Sequence, residues 1–226
     1  MSYLELLKLA APETLVVIAA LAVLGIDLTS MRGLDTRLRF IIGGMLACVG
    51  CLAAIMWMLV MPAHDNALHG MLVVDPLTQL VKICLLALTV FTVLISIESN
   101  FTTHVGEYLA LILLATVGMM FLVSAEDILM IFVSLELISL SLYVLTAFNK
   151  RDIKSAEAAL KYFLFGGMSA AFMLFGLSLL YGLSGSTNLG QIATALAGKG
   201  LDPLLVVAIV MTVIGFGFKV AAVPFH

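Results

Sequence analysis

The sequence predicts an all-α integral membrane protein with about seven transmembrane helices, and three observations carry that reading. Of 226 residues, 63% are hydrophobic and 11% charged, with mean hydropathy +1.21, whereas soluble domains are roughly half apolar and about a quarter charged. Seven apolar runs are each long enough to cross a hydrocarbon layer about 30 Å thick. The runs are also continuous, while the strands of a membrane barrel alternate between lipid and lumen. The partner this composition implies is the lipid bilayer; a formal net charge of −3 leaves no basic footprint for nucleic acid.

The first run, residues 12–28, follows Glu5 and Lys8 and begins at Pro12-Glu13. No basic region followed by a small-residue cleavage site precedes it, so the run is expected to stay in place and act as the targeting signal. The second and third runs, residues 40–61 and 76–97, hold all three cysteines, Cys48, Cys51 and Cys84. Cys48-Val49-Gly50-Cys51 has the letters of a metal half-site but no second ligand pair, so the thiols read as small buried residues.

Runs four and five, residues 108–124 and 127–148, are separated by so short a link that they must be antiparallel neighbours. Glu126 and Asp127 fall where negative charge suits a helix start. Runs six and seven, residues 156–183 and 203–223, are joined by the longest connection, read as polar and flexible from Ser184 to Gln191. His64, His69 and His104 fall in loops, where a solvated imidazole is the default, and His226 is the last residue.

Orientation follows from the basic residues outside the runs. Arg32, Arg37 and Arg39 precede run two, and Lys150, Arg151 and Lys154 precede run six, which a serpentine path places at one end. Lys8 and Lys199 fall at the other. By the positive-inside rule the first group is cytoplasmic and the amino terminus external.

The charges inside the runs are the candidate functional residues, because each one near the bilayer centre costs a few kcal/mol. Glu136 is the only formally charged residue between positions 128 and 148, about 15 Å into its helix. Its side chain is too short to reach either interface. Lys161 lies two turns after the Lys150 loop, within snorkelling reach of it, and Lys82 reads as an anchor near the outer surface. Lys219 follows Gly215 and Gly217 and precedes Pro224, a combination that interrupts a membrane helix and frees backbone groups beside a cavity. At such a break a low dielectric favours the neutral amine and a nearby carboxylate the ammonium, which suits a proton carrier. With Glu136 about 15 Å and Lys219 about 25 Å from the starts of their runs, contact between them requires run seven to begin further out. Gly166, Gly167 and Ser169 are small enough for close helix packing or a narrow polar path.

Ser134-Leu135-Glu136-Leu137, Ala158-Ala159-Leu160-Lys161-Tyr162-Phe163 and the run from Gly217 to His226, Gly-Phe-Lys-Val-Ala-Ala-Val-Pro-Phe-His, closely resemble subunit N of the bacterial proton-pumping NADH:quinone oxidoreductase, respiratory complex I; the mitochondrial counterpart is subunit 2. Pro12-Glu13 and Asp75-Pro76 are also typical, and the resemblance runs over the whole chain. It implies an antiporter-like fold of about fourteen spans in two inverted repeats, of which this chain is the first half with a broken seventh helix. Residues 1–97 would be the first three spans and residues 98–226 the first part of the proton-translocating repeat. Since that family continues past the position of His226, the chain is expected to be a truncated product or a fragment.

The resemblance further implies that Glu136 matches an essential glutamate, Lys219 the lysine that pairs with it, and Lys161 a lysine on the same polar axis, all three serving proton transfer. The chain would be a translocase subunit without a redox active site. NADH, FMN, iron–sulfur clusters and quinone would belong to partner subunits, since this chain has no cluster-ligand cysteine spacing and no dinucleotide glycine fingerprint. Its partners would be the other membrane subunits. The competing expectations are a subunit of a cation/proton antiporter or membrane-bound hydrogenase, a structural scaffold locked by buried charges, and a solitary secondary transporter.

Overall fold

A computed structural model describes residues 10–60, 64–67, 71–98, 101–198, 200 and 202–223. In chain order these form α1 (Ala11–Thr29), α2 (Thr36–Val60), β1 (His64–Ala67), β2 (Leu72–Val74), α3 (Pro76–Ser96), α4 (Val105–Ser124), α5 (Ile128–Thr146), α6 (Ile153–Ser184), α7 (Leu189–Leu196) and α8 (Pro203–Lys219). His69 lies outside the described residues.

Short acids and an amide start five of these helices. Asp75, Asp127, Asp152, Asn188 and Asp202 each accept a backbone N–H of the first turn, satisfying donors that have no partner within the helix. At Asp75 the bond is reciprocal: Thr78 N donates to Oδ1 at 2.6 Å, and Asp75 N donates to Thr78 Oγ1 at 3.0 Å. The Thr78 amide holds the Asp75 carboxyl below its usual range. Proline follows directly in α3 and α8, where its missing N–H costs nothing.

Among the described residues six helices are long and apolar enough to cross a membrane, and α8 is a shorter apolar one. The seventh apolar run extends to residue 223, and its helix stops at Lys219, within the stretch where an interruption was expected. The connection after α6 was expected to be flexible, yet it contains the Asn188-capped helix α7. The β1–β2 hairpin, antiparallel with His64 opposite Val74, was not foreseen at all.

The short connections bring the loops together at two ends. At one, Leu72 bridges to Ala125 and Asp127 to Asn188, and Glu126 N donates to Met71 O at 3.0 Å. At the other, Arg39 reaches Thr103 O at 2.9 Å and Phe101 packs on Phe148. The basic residues expected to share a side flank this second end.

One core, with Val16, Phe40, Leu86, Leu109, Leu113 and Met120, fills the space between α1, α2, α3 and α4. A second, around Ile128, Leu135, Met173, Leu177 and Ile192, joins α5, α6 and α7. Helices α6 and α8 meet through small residues. A Cβ at Gly176 would lie 2.7 Å from Ala208 O, and one at Gly215 would lie 3.0 Å from Met173 Cα, so the two backbones approach closely. Large side chains such as Leu88, Phe91, Ile95 and Leu164 stand exposed on the outer faces, as lipid-facing residues do.

Candidate functional site

Glu136 lies eight residues into α5, roughly 12 Å along its axis, in a helix whose other side chains near it are apolar or hydroxyl-bearing. Ser139 and Tyr143, three and seven residues later, share its face. Lys219 is the last residue of α8. Its Nζ donates to Glu136 Oε1 at 3.1 Å and also to Ser139 Oγ. The lysine side chain is 11% exposed and the glutamate 24%, so the pair is largely withdrawn from its surroundings. Ser139 in turn donates to Leu135 O at 2.7 Å.

The contact forms across an offset that the apolar runs alone made doubtful. Lys219 is sixteen residues beyond Pro203, about 24 Å, so α8 starts further from the pair than α5 does. The long connection through α7 supplies that extra reach. The seam between α6 and α8 fixes the depth, because Ser169 Oγ donates to Gly215 O at 3.0 Å, one turn before Lys219.

The helix break has a specific geometry. Ala222 N donates to Gly217 O at 2.8 Å and Ala221 N to Phe218 O at 3.0 Å, the paired closing bonds of a Schellman end. The turn puts Ala221 in the left-handed region, φ 51°, the only non-glycine with positive φ among the described residues. Glycines before the lysine and a proline after it were expected to make the break, but an alanine takes the left-handed position. The ammonium thus sits at a helix C-terminus, whose partial negative charge favours a cation.

Lys161 is placed elsewhere. Its Nζ lies 2.5 Å from Glu157 Oε1 one turn back, with both side chains more than half exposed, and it bonds to neither Glu136 nor Lys219. Of the small residues after it, Gly166 is closed in by Tyr143, since a Cβ there would lie 2.7 Å from Tyr143 Cζ and nearer still to its hydroxyl; Gly167 faces open space.

Among the described residues, two buried pairings away from this site were not read from the sequence. Lys82 Nζ is 2.7 Å from Glu13 Oε1, both side chains at most 5% exposed, and Asp27 accepts from Arg39 Nε at 2.8 Å and Gly106 N at 3.0 Å. The available signal for the first was depth: both residues lie a few positions into runs that start from the same end. For the second it was the short loop from Asp27 to Arg39. Ser139 and Tyr143 carried a signal too, the three- and seven-residue spacing from Glu136.

Fold and site together define a helical membrane domain with an acid–base pair at a helix break. Residues 125–226 match the family described as NADH:quinone oxidoreductase/Mrp antiporter, transmembrane. Across its whole length the chain is 50% identical to NADH-quinone oxidoreductase subunit N 2 of Acidobacterium capsulatum, of which it covers 47%. It is 40% identical to NAD(P)H-quinone oxidoreductase subunit 2 of Synechocystis, over 95% of this chain and 42% of the relative. A chain of the respiratory complex I from Thermus thermophilus with bound aureothin superposes with TM-score 0.74 at 29% identity, over 95% of this chain and 45% of that one. Over its whole length the chain is similar to these complex I membrane subunits, and it spans a little under half the length of the curated relatives it matches.

Proposed function

We propose that this chain carries part of the proton path of a proton-translocating NADH:quinone oxidoreductase, with Glu136 and Lys219 as its exchanging groups. The observation that carries the reading is the 3.1 Å contact between Lys219 Nζ and Glu136 Oε1 at mid-membrane depth. An ammonium at that distance passes its proton to the carboxylate when the local field favours two neutral groups, and takes one back when the field reverses. The hydroxyl of Ser139 and the end of α8 hold the lysine side chain beside the carboxylate. A conformational or electrostatic change elsewhere in the complex would supply the drive.

Lys161 is a further carrier in this proposal, its ammonium standing on the exposed face of α6 for transfer to whatever packs there. NADH, FMN, iron–sulfur clusters and quinone would act in partner subunits. The names of the relatives favour this reading over a cation/proton antiporter. The experiment is replacement in the full-length subunit within its complex. Glu136→Gln is expected to lower proton pumping by about tenfold or more, the scale of a lost general acid–base group, while assembly stays near normal. Lys219→Ala should add little to it, because groups on one path are non-additive. Normal pumping in Glu136→Gln would reduce the glutamate to a packing residue.

A further inference from the structure

Tyr143 is a buried phenol whose hydroxyl closes no hydrogen bond while lying within reach of the Ser139 hydroxyl, a costly state in an apolar setting. It is seven residues beyond Glu136 on the same face of α5, about 10 Å nearer the basic end. Ser139, which accepts from Lys219, lies on that face between them. The ring is clamped edge-on by Tyr162 at 4.7 Å and Phe163 at 5.7 Å, both on α6. Tyr162 stacks at a tilt on Phe218, the residue before Lys219. Gly166 leaves the space into which the hydroxyl projects. An aromatic cluster from three helices therefore stands between the acid–base pair and the Lys150 end, and within it one orphan hydroxyl points towards a glycine.

We propose that Tyr143 is a proton-relay residue through which Lys219 is reloaded from the basic end of the bundle, a role that rests on the proposed function of the Glu136–Lys219 pair. In one hop a hydronium on the Lys150 side gives its excess proton to the free lone pair of the Tyr143 oxygen and is left as water. The phenol gives its own proton to Ser139 Oγ, and Ser139 gives its proton to the neutral Lys219 amine. One proton advances, no charge remains on Tyr143 or Ser139, and rotation of the two hydroxyls resets the chain. The charged and titratable groups around Tyr143 are Glu136 on its own helix, Lys219 on α8 and Tyr162 on α6; the aromatic clamp excludes bulk water, so protons pass one at a time.

The test uses the full-length subunit in its assembled complex, reconstituted in liposomes. Tyr143→Phe keeps the ring and its packing and removes only the hydroxyl. It is expected to slow proton pumping by about threefold to tenfold, a moderate share of what acid–base groups contribute, with normal assembly and a changed solvent deuterium isotope effect. A fluorinated tyrosine at position 143, with a more acidic phenol, should pump and shift the pH profile of pumping, which a purely packing role would leave unmoved. Wild-type rate and isotope effect in Tyr143→Phe, or an unshifted profile with the fluorinated ring, would overturn the relay. Glu136→Gln in the same preparation separates the two claims: if it pumps normally the reading of the pair fails, and if it is defective while Tyr143→Phe is normal only the relay fails.

Discussion

Lys219 shows how much one residue owes to its neighbours. Its ammonium is held by Glu136 and Ser139, but its position is fixed by the turn that ends α8 immediately after it. That turn places Ala221 at φ 51°, where an L-residue with a Cβ pays about 1–2 kcal/mol. Ala221→Gly is therefore expected to stabilise the subunit by about 1 kcal/mol and keep pumping intact, whereas a β-branched Ala221→Val should destabilise by more. Denaturant titration of the purified full-length subunit would measure both; equal stability of the two variants would show that the break does not depend on that conformation. Glu136 was legible in the sequence because an apolar run makes any charge conspicuous. Ser139 and Tyr143 were not, because hydroxyls are common in membrane helices and only their shared face with Glu136 singles them out.

Helices α1 and α3 are joined at a depth where water is scarce, by Glu13 and Lys82. The sequence offered both residues, Glu13 at the start of the first run and Lys82 as an anchor, but their pairing depends on which helices touch, and composition does not encode that. Removing one partner of a buried pair costs about 3–5 kcal/mol, since the other charge is left uncompensated, while replacing both by apolar groups costs much less. Lys82→Ala alone should therefore sharply lower the amount of assembled subunit in the membrane, and Glu13→Leu with Lys82→Met should recover most of it. Quantifying the subunit in purified membranes decides this; equal losses in the single and double variants would mean that packing, not charge, joins the helices. The seam between α6 and α8 works without charge. Of its glycines, Gly215 was legible only as part of the helix break and Gly176 not at all, and their partners, Met173 and Ala208, depend on which helices touch.

Across the whole molecule the two ends differ in chemistry, and that difference orients it. The hairpin, residues 125–127 and α7 are knitted by backbone bonds at one end; Arg32, Arg37, Lys150, Arg151 and Lys154 gather at the other. The spans themselves were legible because about twenty apolar residues have few other uses. The hairpin was not, since its strands are short and carry no alternating pattern. Basic residues are retained on the cytoplasmic side during insertion, which predicts that the Lys150 end faces the cytoplasm and α7 the opposite side. With the native cysteines replaced, Arg151→Cys in the full-length subunit is expected to resist a membrane-impermeant maleimide in intact cells and to react once the cells are opened. Thr194→Cys, on an exposed face of α7, should react in both states. Labelling of Arg151→Cys from outside would invert the bundle, and the direction of proton entry past Tyr143 would invert with it.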